Sequence, residues 1–312
     1  MVCEKVYYEY VYERLTVPHV DWNCGERRNI PKGQLGNEFT NLLNRIYEKY
    51  GFDLHRNVED NIEKFLLWRR EFCTADNDEA VYAAVYFVLY CCLADKILDS
   101  VRFSQKDKMN VCNELEGFWN QRDTESQTFP ELTEMGQKVR TFLIADKQRK
   151  NSRFTLLAQK MERAFSSECF MFYHLLDKFD ETMELSKLTD KSVEFVSAAF
   201  WIAAYDVNDD RMEKAAETIG EIFWLIDDVC DYISDIQTGS MNSALIFCTD
   251  TALSIPLERR IKQAAMNMGK MICMLEDKVK KLEILIGREM RDFILSELWN
   301  WMADVRKYVG VK

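Results

Sequence analysis

Four aspartates lie at the end of a strongly apolar stretch, residues 220–235. Residues four apart share one face of an α-helix, so Asp227, Asp231 and Asp235 form a column of carboxylates with Asp228 beside it. Like charges at this spacing destabilise a helix unless a cation neutralises them. Carboxylate oxygens are the preferred ligands of Mg²⁺. The stretch therefore predicts a buried helix that binds a divalent metal. The alternative is a solvated acidic face, which would more often be mixed with Lys and Arg.

The rest of the chain is poor in residues that end helices. It contains only 4 Pro and 11 Gly in 312 residues, and the common Leu, Met, Glu and Lys favour helix. The apolar periodicity predicts a first helix near 7–15 and further helices near 36–50, 57–73, 77–99, 105–121, 130–147, 153–183, 190–206, 210–236, 255–286 and 288–308. No break is long enough for a linker. We expect an all-α single domain over residues 1–312. Its first part, an N-terminal helix and an irregular segment (1–35), would pack over the rest of the helical bundle.

Charge and cysteine usage limit the partners and the compartment. The formal net charge is −11, which argues against nucleic acid or an anionic membrane surface as a partner. The ten cysteines show no metal-ligand spacing, which favours free thiols in a reducing compartment. The N-terminus shows no apolar signal sequence, and the longest apolar run, 80–94, is short for a bilayer. We expect a cytoplasmic protein without stable membrane insertion.

A second apolar helix, residues 80–99, also ends in aspartates. It is hydrophobic on nearly all sides, which is typical of a helix in the middle of a bundle. Asp95 and Asp99 lie four residues apart at its end. Alone, this pair more often marks a salt-bridged helix end. Together with the column, it indicates two central helices whose carboxylates surround one metal site, as in helical bundles that bind metals in their core.

A third helix opens with Lys191 and continues through many small residues as far as Ala204. Small side chains allow neighbouring helices to approach closely. A lysine at a helix start is usually solvated, but it also offers a compact positive charge and three donors to a phosphate group. We therefore interpret Lys191 as a candidate ligand of a phosphate-bearing substrate.

These three elements resemble the class I isoprenoid synthases, the superfamily of terpene cyclases, trans-prenyltransferases and squalene/phytoene synthases. The stretch 191–204, followed by 220–228, is similar to the lysine helix and the second aspartate motif of prenyltransferases. The spacing of Asp227, Asp231 and Asp235 also resembles the Asn/Asp, Ser/Thr, Glu triad of terpene cyclases. Residues 301–308 resemble the C-terminal Arg-Tyr pair of microbial cyclases. The resemblance covers most of the chain from about residue 60.

The resemblance implies a helical bundle with a central cavity and a Mg²⁺-dependent enzyme that ionises a prenyl diphosphate. Its members coordinate three Mg²⁺ ions with two acidic motifs. The metal ligands so implied are Asp95, Asp99, Asp227, Asp228, Asp231 and Asp235, and the catalytic residues are Asp95, Asp99, Asp227 and Asp231. Lys191, Arg306 and Tyr308 would bind the diphosphate. A homodimer is compatible with the resemblance.

Aromatic side chains below the motifs are candidates for the wall of the cavity. Phe223 lies one turn before Asp227, Phe87 two turns before Asp95, and Phe195 one turn after Lys191. An aromatic face near a cation is worth roughly 0.5–2 kcal/mol, which would suit an enzyme that shapes a carbocation. The alternative for each of these residues is plain core packing.

We expect a class I terpene synthase that cyclises a linear prenyl diphosphate, farnesyl or geranylgeranyl. The alternative enzyme is a prenyltransferase that condenses two isoprenoid diphosphates, because the short first motif is also that of squalene/phytoene synthases. Against it, the chain has no early Gly-Lys-Arg segment and no Arg-Arg pair after Asp99; Arg102 alone follows. The cyclase arginine that senses the diphosphate has no clear match, and Lys187 or Lys191 would replace it. A third reading is a helical binding or scaffold protein without catalysis.

Overall fold

The computed structural model describes residues 4–15, 34–74, 77–119, 128–147, 153–173, 185–247 and 256–310. Every regular element in these ranges is an α-helix, which confirms the all-α prediction. The helices of this part of the chain are α1 (Glu4–Arg14), α2 (Gln34–Tyr50), α3 (His55–Phe72), α4 (Asp78–Asp99), α5 (Gln105–Glu116), α6 (Pro130–Lys147), α7 (Phe154–Tyr173), α8 (Ser186–Ala203), α9 (Asp210–Thr238), α10 (Ala244–Phe247), α11 (Leu257–Asn267), α12 (Gly269–Leu285), α13 (Arg288–Trp301) and α14 (Ala303–Val309).

Most predicted helices agree with these elements to within a few residues. The short helix α10 was not predicted, and three predicted helices differ in length or continuity. The helix predicted over 153–183 corresponds to α7, and residues 174–184 lie outside the described part. The helix predicted over 255–286 is divided between α11 and α12 at Met268. The helix predicted over 288–308 is divided at Met302, where ψ changes to 9°. The irregular segment expected over 18–31 also lies outside the described residues.

The helices form two compact units. The first unit comprises Met1–Trp22, Ser166–Ser197 and Arg211–Lys312, and the second comprises Asn23–Phe165 and Ala198–Asp210. The aspartate column lies in the first unit, and Asp95 and Asp99 lie in the second. The single-domain organisation expected over residues 1–312 stays a prediction.

In the second unit, α4 is the central helix and packs on α3 and α6. It is buried on nearly every side, as its uniformly apolar sequence predicts. Among the described helices it alone is long and apolar enough to cross a membrane, and 72% of its apolar window is buried within the protein. The side chain of Asn77 caps its N-terminus by accepting a hydrogen bond from the backbone N–H of Ala80. Residues 198–206 join this unit through the ion pair of Arg69 with Asp206, at 2.8 Å.

In the first unit, the aromatic residues of α1 attach that helix to α9. The hydroxyl of Tyr7 donates a hydrogen bond to the carbonyl oxygen of Val229 at 2.8 Å, and its ring lies 5.4 Å from the ring of Tyr232. Tyr232 in turn donates to the carbonyl oxygen of Ile261 at 2.6 Å. Helix α1 also packs along α14. Through these contacts, α1 packs against the face of α9 that carries the buried residues Val229 and Tyr232.

Candidate functional site: the carboxylate end of helix α9

Helix α9 carries the aspartate column in its last three turns. Its apolar residues 222–226 are buried in the first unit, whereas Asp227, Asp228, Asp231 and Asp235 are half-buried. The helix ends at Thr238, and Gly239 follows with a left-handed φ of 80°. The backbone N–H of Ser240 donates to the carbonyl oxygen of Asp235 at 2.8 Å, the bond that closes a helix ending in a left-handed glycine.

Burial and mutual repulsion act on the carboxyl groups of the column. Burial raises the pKa of Asp227 well above its ordinary value, the positive charge of Lys191 opposes this rise, and the neighbouring aspartates increase it. Burial also raises the pKa of Asp235 to about 7, although Asn242 donates a hydrogen bond to it. Both effects disfavour the ionised form. The described structure therefore places several carboxyl groups where they are costly to ionise together without a cation.

Lys191 lies beside the column because α8 and α9 touch through their backbones. A β carbon at Gly220 would come within 2.4 Å of the carbonyl oxygen of Val193, so only glycine permits this approach. Gly220 lies two turns before Asp227, and Val193 lies two residues after Lys191. The charge of Lys191 consequently acts on the pKa of Asp227, Asp228 and Asp235. Lys187, the other lysine considered for this role, is exposed.

Two residues that the sequence analysis missed, Trp224 and Ser243, hold the carboxylate of Asp228 through three hydrogen bonds. Its Oδ2 accepts hydrogen bonds from Trp224 Nε1 at 2.7 Å, from the backbone N–H of Ser243 at 3.3 Å and from the hydroxyl of Ser243. Trp224 Nε1 also donates to Ser243 Oγ at 2.8 Å. Burial raises the pKa of Asp228, while the hydrogen bonds from Ser243 and Trp224 oppose the rise. No sequence spacing pointed to Ser243, which reaches Asp228 only because the chain reverses at Gly239.

Asn242 joins the two ends of the column. Its Nδ2 donates to the carbonyl oxygen of Asp228 and to Oδ2 of Asp235, both at 2.9 Å. Its Oδ1 accepts a hydrogen bond from the backbone N–H of Ala244 at 3.0 Å. Asn242 and Ser243 are fully buried, and α10 follows them directly. We call Trp224, Asn242 and Ser243 the α9 clamp.

The donor set of the column suits Mg²⁺, which needs only one or two carboxylates beside water and substrate phosphate oxygens. Within the described ranges, no three His, Cys, Asp or Glu side chains are grouped closely enough to form a metal cage. The fit therefore rests on the chemistry of the donors: several oxygen ligands on one helix face, whose ionisation is unfavourable without a neighbouring cation.

The other acidic pair lies at the end of α4 in the second unit. Asp95 is half-buried and Asp99, the last residue of the helix, is exposed. Asp95 contributes to the raised pKa of Cys92, after the larger effect of burial. Two turns before Asp95, Phe87 is fully buried, with its ring centroid 6.2 Å from that of Phe165. The described contacts of Phe87 are those of a core residue.

The remaining predicted residues lie in the first unit. Phe223 is buried and its ring packs against that of Trp301, with 5.0 Å between centroids. Phe195 is half-buried on α8. The guanidinium of Arg306 lies 4.6 Å from the ring centroid of Trp299, and its buried Nε has no hydrogen-bond partner. The backbone of Tyr308 belongs to α14, but its side chain lies outside the described part of the chain.

No protein-family model matches this chain, and the search of curated proteins finds no significant match either.

Proposed function

We propose that this protein is a class I terpene synthase, a lyase that ionises a linear prenyl diphosphate with Mg²⁺ and cyclises the resulting carbocation. The observation that carries the proposal is the half-buried carboxylate column of α9 with Lys191 beside it. Partial burial of four acidic groups and one lysine on an apolar helix pair costs folding free energy. Such groups are therefore candidates for a functional site. A diphosphate together with divalent metal would neutralise this arrangement, because the aspartates would bind the metal and the lysine the phosphate oxygens.

The side chains of the site have separate tasks. Asp227, Asp231 and Asp235 would hold the metal, and Lys191 would donate charge-assisted hydrogen bonds to the diphosphate as it leaves. The resemblance adds Arg306 and Tyr308 to the diphosphate-binding residues, and the partnerless Nε of Arg306 is a donor available for an anion. Bound Mg²⁺ supplies the Lewis acid that stabilises the departing diphosphate. The apolar residues before Asp227 are buried and would keep water from the turns of α9 below the column.

The resemblance also assigns Asp95 and Asp99 to metal binding and three Mg²⁺ ions to the reaction. The pair of aspartates at the end of α4 favours a second candidate, a prenyltransferase related to the squalene/phytoene synthases, whose first motif has the same spacing. Location in the cytoplasm and assembly as a homodimer also stay predictions.

One set of incubations tests these functions. Purified protein with Mg²⁺ is given geranyl, farnesyl, geranylgeranyl or geranylfarnesyl diphosphate, and both diphosphate release and organic products are measured. A terpene synthase gives a cyclic hydrocarbon or alcohol from one substrate alone. A prenyltransferase requires a second prenyl diphosphate. Asp227→Asn is the control for contaminating activity. Absence of metal-dependent diphosphate release with every chain length would contradict both enzymes and leave the non-catalytic scaffold.

A further inference from the structure

The α9 clamp connects two carboxylates of the column to a single reversal of the chain. Asp228 offers one carboxylate oxygen to three hydrogen-bond donors, two of them from Ser243. That oxygen is committed to protein donors. Asp228 therefore differs from Asp227, to whose carboxylate no side-chain hydrogen bond is found within the described residues.

Asn242 supplies the second connection. An amide side chain has two N–H donors and one carbonyl acceptor, and in Asn242 all are used: the donors reach Asp228 and Asp235, and the acceptor takes the N–H of Ala244. The Asn242 side chain is fully buried, where leaving a polar group without its partner is costly. The residue therefore fixes the direction of one oxygen of Asp235 relative to the helix backbone at Asp228.

We propose that Trp224, Asn242 and Ser243 are positioning residues, which hold Asp228 as an anchor and orient Asp235, leaving metal binding to Asp227, Asp231 and the other oxygen of Asp235. The inference rests on the proposed function. Carboxylates that bind metals are commonly fixed by hydrogen bonds from residues behind them, and removing such a residue typically weakens metal binding about 10- to 100-fold. In the clamp, Asn242 and Ser243 both lie in the short segment that follows the chain reversal at Gly239.

Metal binding measured without turnover tests the clamp. Free Mn²⁺ is followed by electron paramagnetic resonance in the presence of inorganic pyrophosphate, and melting curves are recorded for each variant. Ser243→Ala and Asn242→Ala should weaken Mn²⁺ binding about 10- to 100-fold, and Ser243→Thr, which keeps the hydroxyl, should restore most of it. The matched control is Ser296→Ala, which removes a hydroxyl bonded only to the carbonyl of Phe293 on its own helix and should bind Mn²⁺ like the wild type.

Asp228 itself provides the complementary comparison. Asp228→Asn keeps an oxygen for the donors of Trp224 and Ser243, so it should retain much more Mn²⁺ affinity than Asp227→Asn. Equal losses in these two variants would show that Asp228 is a metal ligand and would overturn its anchor role. If Asn242→Ala does not fold, Trp224→Phe replaces it, because it removes the indole donor to Asp228 and Ser243 while keeping an aromatic ring.

The outcomes separate the clamp from the proposed function. Unchanged Mn²⁺ affinity in folded Ser243→Ala and Asn242→Ala would overturn the positioning role, whatever their melting temperatures. A wild-type protein that binds Mn²⁺ with pyrophosphate but converts no prenyl diphosphate would contradict the proposed synthase activity. The Mn²⁺ titrations of the variants would still test the positioning role of the clamp. A wild-type protein that binds no Mn²⁺ would overturn both.

Discussion

Gly220 and Val193 bring helices α8 and α9 into backbone contact: a β carbon at Gly220 would lie 2.4 Å from the carbonyl oxygen of Val193. The carbonyl is part of the helix backbone and cannot move away as a flexible side chain would. The contact places the second turn of α8, which carries Lys191, against the turns of α9 that lead into the aspartates. Helix α8 begins at Ser186, so Lys191 does not open the helix as the sequence predicted. The electrostatic link between Lys191 and Asp227 therefore depends on the absence of a side chain two turns away.

The first prediction concerns this contact. Gly220→Ala should destabilise the protein in urea unfolding, because overpacking a core costs about 1–3 kcal/mol and exceeds the roughly 1 kcal/mol that alanine gains in a helix. The shift of α8 should also weaken pyrophosphate binding in the presence of Mg²⁺. Gly136→Ala in α6 is the matched control, since its tightest neighbour, at 3.0 Å, is the side chain of Tyr90. A Gly220→Ala protein as stable as the wild type would contradict the backbone contact.

The second prediction concerns the column. Asp227→Asn and Asp231→Asn should abolish metal-dependent diphosphate release with little loss of fold, because removing one charge relieves repulsion between the remaining carboxylates. The metal-free variants should melt at or above the temperature of the wild type. The combination to measure is activity per folded molecule and thermal unfolding without metal. Variants that unfold, yet keep normal activity in their folded fraction, would make the column a structural feature.

The third prediction concerns diphosphate binding. Lys191→Ala should weaken inorganic pyrophosphate binding in the presence of Mg²⁺ by about 2 kcal/mol, the loss expected for a charge-assisted hydrogen bond. Calorimetric titration gives this quantity directly. Lys187→Ala is the matched control, because Lys187 lies one turn earlier on the same helix and is exposed. If Lys187→Ala weakens binding and Lys191→Ala does not, the two assignments are exchanged.

The fourth prediction follows from the raised pKa of Asp235, about 7 against an ordinary value of 3.8. A group whose pKa is raised in the folded state stabilises the fold while it is protonated there, and this contribution is lost as the pH rises toward 7. Without metal, the wild type should therefore lose stability between about pH 4 and pH 7 relative to Asp235→Asn. Added Mg²⁺ should restore stability above that range. Melting curves across this range are the measurement.

The exposed acid Asp277 provides the control for the pH series. It lies on α12, where Lys280 is its partner at 3.4 Å. Asp277→Asn should follow the wild-type pH profile closely, since its carboxyl group lies at the surface. A wild-type profile that runs parallel to that of Asp235→Asn would mean that Asp235 titrates near its ordinary value in the folded protein.

Local chemistry explains why the helices were predictable. Ser104 and Asp107 form a reciprocal capping box at the start of α5, and Asn77 caps α4; each uses side-chain types that favour helix starts. The division at Met268 had a signal in Gly269, which the predicted helix included. That glycine leaves room for the hydroxyl of Tyr10, which would lie 2.9 Å from a β carbon.

The candidate site was predictable only where its residues share one helix. The column follows from the spacing of Asp227, Asp231 and Asp235, because helical periodicity alone sets their common face. The clamp does not, because Asn242 and Ser243 reach α9 through a reversal whose exit direction depends on tertiary packing. The small residues after Lys191 indicated close helix packing, but the contact that brings Lys191 near Asp227 lies at Gly220, whose role sequence reasoning did not identify. The role of Lys191 in phosphate binding stays a prediction.

The last prediction concerns the aromatic residues and separates the candidate enzymes. Phe223 packs on Trp301 in the first unit, and Phe87 packs on Phe165 in the second. In a cyclase whose wall includes Phe223, Phe223→Ala should change the product mixture or release early-quenched alcohols while ionisation continues. In a chain-elongating enzyme, the same change should lengthen a linear product. A core residue would instead lose about 3–5 kcal/mol of stability and make the original product.

Phe165→Ala is the reference for pure core loss, because the ring of Phe165 also lies against Tyr90 and Phe118. Product analysis and melting curves are recorded together for Phe223→Ala, Phe87→Ala and this reference. Since Phe87 is fully buried and shares its contact with Phe165, we expect Phe87→Ala to resemble the reference more than Phe223→Ala does. Product ratios equal to those of the wild type in both phenylalanine variants would remove Phe223 and Phe87 from the substrate-binding residues. Neither ring would then contribute to stabilising the carbocation.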